Sequence, residues 1–440
     1  MVDKIVIHFL NLLNKKNIKY VSWKNNHEIS DSLNGKSDLD IFVDNLNKNK
    51  FEELAAQEGW LEVKNPIACY PSVKHFYKIS KRGKFYHLHV YFEVITGESW
   101  LKEYNLPIME FLINNRFWDL NYKIWVLDKK AQAYVFFIRH FLKTGSIISR
   151  YLYFKEKKSY QSEWLLCDTS VNELYEYGPI VIDSYIERSG LNGKFKIPNI
   201  YYSIKFRLEM LRYLRVSLIL LPFLRIKNLI MRIKNKFFLK EKKKFITKGI
   251  IIAISGSDGA GKSSMISELN KSFSLFQTCF VYSLGKPQSA LIDFLKNMIS
   301  PKARTVKTIK DTENPNEQTN LKKALALVIL GFLRLNKAKK AKNMAAKGNL
   351  ILVDRWPTNN FGKMDSPKIF TNINSSKILI FLANIEKYTY KIIPKADVCF
   401  YLKVSAKTAV LRNQERKKVG KETDNEIIKR HIENEEIIPI

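Results

Sequence analysis

Between Gly256 and Ser264 the chain reads GSDGAGKSS, directly after the apolar run Gly249-Ile-Ile-Ile-Ala-Ile-Ser255. The spacing G-x-x-x-x-G-K-[ST] behind a strand is the pattern of a loop that cradles the phosphates of a nucleoside triphosphate. Gly256, Gly259 and Gly261 let backbone N–H groups close around an anion, with Ser257, Asp258 and Ala260 completing the turn. Lys262 can reach the outer phosphates, the Ser263 hydroxyl can ligate Mg2+, and Ser264 carries the chain into a helix whose positive end faces the same anion. The competing reading is a glycine turn with no ligand, which does not account for the buried-type strand in front of it.

Four further features fit around this loop. Asp258 would be repelled by bound phosphates, so it either holds a sugar hydroxyl of an acceptor or caps the turn. Asp354-Arg355 follows the strand Leu350-Ile-Leu-Val353, where ligands of open α/β sheets sit. There Asp354 can hold Mg2+ through water and Arg355 can fork two phosphate oxygens; a surface ion pair is the alternative. Arg334 lies in the apolar stretch LALVILGFLRLN and needs an anion unless it snorkels to solvent. Arg412 and Arg416 are four apart on one helix face, either to close over a transferring phosphoryl group or as a solvated basic face.

The elements that must position these residues are legible in the hydrophobic pattern. From about Phe245 onward strands alternate with helices as in a doubly wound parallel sheet. Strands are predicted over Gly249–Ser255, Cys279–Ser283, Asn349–Val353 and Val398–Val404. Helices are predicted over Ser263–Phe276, Leu321–Lys347, Ser375–Ile393, Ala406–Lys417 and Glu426–Glu436. Residues 1 to about 120 mix helices with strand-like runs at Tyr20–Trp23, Leu39–Val43, Phe76–Ile79 and Phe85–Phe92. From Lys129 to about Phe238 the period is helical, and KEKKK, Lys240 to Lys244, marks a linker. The expected organisation of the 440 residues is an α/β domain over 1–120, a helical extension and basic linker over 121–245, and an α/β domain over 246–440. With 46% hydrophobic residues the chain can bury cores and is not a disordered tail.

The C-terminal part resembles the thymidylate kinase family of nucleoside monophosphate kinases. The resemblance rests on GSDGAGKSS, on Asp-Arg followed by an aromatic residue in VDRWP, on an Arg some twenty residues earlier, and on arginines after the last strand; it covers about Ile250 to Glu436. It implies a P-loop NTPase fold, a possible homodimer, and ATP and Mg2+ at Lys262 and Ser263. It further implies Arg334 and Arg355 on an acceptor phosphate, Asp258 on the acceptor sugar, and Arg412 or Arg416 in a lid. The sequence departs from the family pattern at WPTNNFGKMDSP after Asp354-Arg355 and at YSLGKPQSA, Tyr282 to Ala290, and it ends at Ile440, ahead of a further strand and helix of that fold.

In the N-terminal part, Asp38 and Asp40 sit two apart on a predicted strand, so both carboxylates face one side. Such a pair repels itself unless a cation such as Mg2+ lies between, or it is a solvent-facing pair on an edge. This half resembles divergent members of the nucleotidyltransferase superfamily over roughly Ile18 to Gly97, with YVSWKN ahead of the D-x-D strand and Trp23-Lys24-Asn25 where a Gly-Ser pair is usual. The later strand YHLHVYFE carries His87 and His89 where the resemblance leads one to expect a third carboxylate, with Glu93 as the substitute. The two histidines share a face and read as a structural pair or as metal donors.

A formal charge of +32 is spread along the chain together with many Asn and Ile, which argues against one nucleic-acid stripe and leaves polyanionic substrates and anionic lipid headgroups open. Cys69, Cys167, Cys279 and Cys399 form no C-x-x-C pair, and MVDKIVIHFLNLLNKK reads as an amphipathic helix without a cleavage site, so a cytoplasmic location is expected. Val216 to Phe223, bracketed by Arg212, Arg215 and Arg225, is too short to span a bilayer; it is either a basic interfacial helix or a helix packed between domains. Three functions remain. The first is ATP- and Mg2+-dependent phosphoryl transfer to a nucleoside monophosphate or nucleotide-sugar-related acceptor. The second is nucleotidyl transfer by the N-terminal domain, with the P-loop domain as ATP-binding partner. The third is a non-catalytic ATP-binding scaffold at membrane or nucleic acid.

Overall fold

The computed structural model describes residues 4–167, 171–186, 195–257, 259–285, 319–414 and 423–433. The chain divides into two compact units, Met1–Lys240 and Glu241–Ile440.

In the first unit, helix α1 (Ile5–Lys15) buries Val6, Phe9, Leu10 and Leu13, the spacing of one helical face. Seven strands of this unit, β1 (Tyr20–Ser22), β2 (Asp38–Val43), β3 (Leu61–Lys64), β4 (Val73–Ile79), β5 (Phe85–Tyr91), β6 (Arg116–Asp119) and β7 (Ile124–Leu127), pair in the order β3-β4-β5-β2-β1-β7-β6. The β2–β5 and β1–β7 pairs are parallel; the others are antiparallel. Alternation along β2 sends Leu39, Ile41 and Val43 to a core shared with α1 and with α2 (Lys48–Gln57), while Phe42 joins a second core on the other face. Along β5, Tyr86, Leu88 and Val90 go with the first core and Tyr91 with the second. Asp38, Asp40, His87 and His89 therefore share the second face.

That face is covered by α3 (Lys129–Lys143), buried almost all round, with the Asp128 side chain accepting from the Ala131 N–H at 2.8 Å. α4 (Lys157–Cys167) and α5 (Ile200–Glu209) pack on it. The apolar period running from Tyr201 past Leu220 reads as one helix, but the structure breaks it after Tyr213 and resumes at α6 (Leu221–Lys234). The cause is tertiary: Leu214 bridges Tyr104, and the Arg215 N–H donates to the Glu103 carbonyl at 2.9 Å, so the backbone there serves a strand-like pairing.

The second unit is built on four parallel strands, β8 (Ile251–Gly256), β9 (Cys279–Ser283), β10 (Leu350–Asp354) and β11 (Val398–Leu402), in the order β9-β10-β8-β11. Helices cover both faces. Ile251, Ala253, Ile351 and Val353 pack on Ala338, Ala341 and Ala345 of α8 (Leu321–Ala346), while Ile254 and Leu352 pack on Ile266 of α7 (Lys262–Ser274). The alanines let α8 approach the sheet closely, which is how β8 and β10 come to read as continuous apolar runs. Helices α9 (Lys377–Lys391) and α10 (Ala406–Gln414) follow. The fold is thus mixed α/β with a parallel sheet in the second unit. Among the described residues no helix is long and apolar enough to cross a membrane.

Candidate functional site

The phosphate-type loop leaves β8 at Gly256 and enters α7 at Lys262. Gly256, Gly259 and Gly261 have φ of 147°, 87° and 89°, a region other residues enter only with strain. At Gly256 a Cβ would also stand 2.6 Å from the Leu402 carbonyl oxygen, so this glycine is demanded twice. The Lys262 side chain is buried, its ammonium donating to the carbonyls of Gly256 at 2.9 Å and Ser257 at 2.7 Å. The charge is thereby held over the loop whose N–H groups open α7.

Asp354 ends β10, in register with Ile254 on β8 and Ser283 on β9. Ser263 and Asp354 line one cleft of about 420 Å³, together with Ile266, Asn270, Tyr282 and Ser283. Asp354 Oδ1 is buried without a hydrogen-bond partner. A carboxylate oxygen desolvated in this way is costly to leave unmatched, by roughly 1–3 kcal/mol or more. A hydroxyl and an oxygen-only carboxylate donor meeting in one cleft are a donor set that suits Mg2+.

Arg355 follows with φ 67°, and its backbone N–H donates to the Ile254 carbonyl at 3.0 Å, which pins the turn at the strand end. Its guanidinium lies 3.6 Å from Asp365. Arg334, 4% exposed on α8, donates through Nε to the Leu284 carbonyl at 2.9 Å, through Nη1 to the Tyr390 hydroxyl, and through Nη2 to the Gly285 carbonyl and to Asp365 at 2.6 Å. The anion its apolar surroundings demand is thus supplied by Asp365, which joins Arg334 to Arg355. Asp365 falls in the stretch that departs from the thymidylate kinase pattern, and no periodicity marks it in the sequence.

Arg412 on α10 donates to the Gly259 carbonyl at 3.2 Å, which places a cation from beyond the last strand on the phosphate-type loop. Asp258 and Arg416, expected at the acceptor sugar and the lid, lie outside the described residues.

The N-terminal carboxylates form a second cluster. Parallel register sets Asp38 beside His87 and Asp40 beside His89. His89 Nδ1 stands 2.8 Å from Asp40 Oδ1 and 3.4 Å from Asp38 Oδ2, and the three residues are grouped closely enough to hold a metal ion. Donors spaced in this way fit around a small divalent ion with bonds of roughly 2.0–2.2 Å, and two carboxylates with an imidazole suit Mn2+ or Zn2+ better than Mg2+. Glu93, read as the substitute third carboxylate, does not belong to the group, because β5 ends at Tyr91 and register brings His89 there instead. His75 stacks on His89 and contacts His87 at 3.0 Å; nothing in its sequence context marks it.

Burial favours the neutral acid at Asp40, but Lys24 at 2.8 Å and His89 hold its carboxyl well below the usual range. Asn25 also donates to Asp40, at 2.6 Å, so the Trp23-Lys24-Asn25 turn takes up this carboxylate. The Tyr91 hydroxyl accepts from Lys24 at 3.1 Å and from Lys102 at 2.5 Å. Lys102 has no carboxylate partner among the described residues, and burial followed by the like charge of Lys24 pushes its pKa well below the ordinary lysine value. Lys143 is brought down to about 7 by burial and by Arg139. Sequence reasoning missed Lys102 and Lys143, since only the fold buries them within electrostatic reach of Lys24.

No family model and no curated protein matches the chain. Among solved structures, a thymidylate kinase from Candida albicans aligns at 18% identity over 43% of this chain and 79% of its own, with a TM-score of 0.27. So loose a superposition carries no functional argument, and the residues themselves must supply it.

Proposed function

We propose that the C-terminal unit transfers the γ-phosphoryl group of ATP, with Mg2+, to a nucleoside monophosphate or a related acceptor, on a P-loop kinase-type fold. The observation that carries this reading is the convergence of Ser263 and the unpartnered Asp354 Oδ1 in one cleft at the carboxyl ends of adjacent parallel strands. Mg2+ bound by this pair would neutralise charge on the phosphates. The loop N–H groups and the α7 N-terminus bind and orient the triphosphate, and Lys262 exchanges the Gly256 and Ser257 carbonyls for its outer oxygens when it binds. Arg355 is assigned to the acceptor phosphate. Arg334 acts on that side by fixing Asp365, and Arg412 adds positive charge at the loop. Positioning and charge account for most of such a rate enhancement, since little covalent chemistry is required of the protein. The test is ADP release across a panel of nucleoside monophosphates and sugar phosphates, with Lys262→Ala lowering the rate by about 10²-fold or more. Absence of turnover with every acceptor, despite tight ATP binding, would favour a nucleotide-binding scaffold.

A second reading is favoured by the Asp38/Asp40/His89 group with Lys24 and Lys102 beside it, which supplies donors for a cation and charge for phosphates: nucleotidyl transfer by the N-terminal unit. It predicts pyrophosphate in place of ADP, and loss of pyrophosphate in Asp38→Asn.

A further inference from the structure

Helix α6 and the turn of π-helix that extends it to Leu239 are apolar on two opposite sides. One side docks on the N-terminal unit. Leu221 and Leu224 pack with Trp100 and Leu101, Asn228 donates to the Trp100 carbonyl at 3.0 Å, Arg225 pairs with Glu98 at 3.2 Å, and Arg232 lies over the Trp100 ring. At 100° per residue these positions share one face. Phe223, Ile226, Ile230, Ile233 and Phe237 recur at three and four residues and fall on the opposite face. That second stripe is exposed: Phe223 by 69%, Ile226 and Ile230 by 58%, Phe237 by 63%. It continues at its amino end into Leu218, Ile219 and Leu220, which are also exposed.

A row of large apolar side chains in water marks an interaction surface, and the charge around it identifies the partner. From Met210 to Lys240 the chain carries eight Lys or Arg and no Asp or Glu; Arg225 and Arg232 are used on the inner face, and the lysines remain for the outer one. Lys227 and Lys234 stand on the flank of the apolar stripe, and Lys236 and Lys240 follow at its carboxyl end. A protein partner would be met by a polar rim of mixed sign; a basic rim of one sign around an apolar stripe matches a surface that is anionic above and apolar beneath. The segment from Leu221 to Leu239 is about 28 Å long at 1.5 Å per residue, enough to lie along an interface with every stripe residue in contact. With no helix among the described residues able to cross a bilayer, the contact is peripheral.

We propose that the outward stripe of α6, Phe223/Ile226/Ile230/Ile233/Phe237 with its basic flank, seats the protein on an anionic lipid surface. The inner face, anchored on Trp100, holds the helix against the N-terminal unit, so the stripe is presented without unfolding. The proposal is independent of the reaction assigned to the phosphate-type loop.

The test is flotation of the full chain with vesicles of phosphatidylcholine alone and of phosphatidylcholine with phosphatidylserine. Retention is expected on the anionic vesicles, weak retention on the neutral ones, and a steep fall with salt. Phe223→Ser combined with Ile230→Ser should lower retention by about tenfold or more while leaving the melting curve and ADP release unchanged, because both side chains face solvent. Lys227→Glu combined with Lys234→Glu should lower it on anionic vesicles only. Equal retention on both lipids, retention unaffected by the serine pair, or no retention at all would overturn the proposal. Sedimentation separates the remaining case: a dimer that the serine pair converts to monomer, with no vesicle binding, assigns the stripe to a second copy of the chain and also overturns it.

Discussion

Replacing Asp354 by Asn should separate function from stability. Asp354 Oδ1 is buried and makes no hydrogen bond, so the native state carries an uncompensated desolvation cost of roughly 1–3 kcal/mol at that atom. Asn keeps the shape and removes the charge. The unliganded C-terminal unit should therefore unfold at the same denaturant concentration as the parent, or be more stable by about 1 kcal/mol. Catalysis should move the other way, with ADP release falling by about 10²–10³-fold if this carboxylate holds the cation that neutralises the phosphates. Ligand-induced stabilisation gives an independent measure. Mg-ATP at about 100 times its dissociation constant stabilises the native state by about 2.7 kcal/mol, an upward shift of roughly 5–11 °C in the melting temperature of a unit this size. If Asn weakens binding tenfold, the same concentration gives about 1.4 kcal/mol and roughly half the shift. Denaturant unfolding, thermal melting with and without Mg-ATP, and ADP release test all three numbers. A variant that loses more than about 2 kcal/mol without ligand yet keeps the full Mg-ATP shift would show Asp354 to be structural and refute the reasoning.

Other substitutions probe the first unit. His140 is buried and neutral, accepting from the Tyr153 hydroxyl and donating to the Lys196 carbonyl, and burial lowers its pKa to about 3. The unfolded chain binds a proton near pH 6.5 that the native state refuses, so stability is complete above that pH and is lost as pH falls toward 3. Between pH 7 and pH 5 urea unfolding should show a loss of about 2 kcal/mol, and the slope should flatten in His140→Gln. Arg207 is held by Glu103, by Glu98 at 3.6 Å and by the Leu142 carbonyl, and both carboxylates are fully buried. Arg207→Met should cost about 3–5 kcal/mol in urea unfolding, and a loss under about 1 kcal/mol would show the pair to be dispensable. Calorimetric titration of the full chain with Mn2+ should detect a site that Asp38→Asn weakens at least about tenfold; binding unchanged in that variant would remove Asp38 from the ligand set.

The local physics of this protein is written in its sequence. The glycines of GSDGAGKSS announce positive φ, the apolar runs announce parallel strands buried on both faces, and Asp354-Arg355 stands at the carboxyl end of one of them. Alternation along β2 by itself puts Asp38 and Asp40 on one face. Each of these signals is short-range, set by the backbone geometry of a few residues. What the chain order leaves undetermined is which distant segments meet. Asp365 answers Arg334, His89 takes the place expected of Glu93, Lys102 and Lys143 come within reach of Lys24 from separate segments, and Leu214 breaks a helix by pairing with Tyr104. Those outcomes depend on strand register and on burial, where an unmatched charge or backbone group costs more than local propensity can return. For that reason only the tertiary structure could assign these partners.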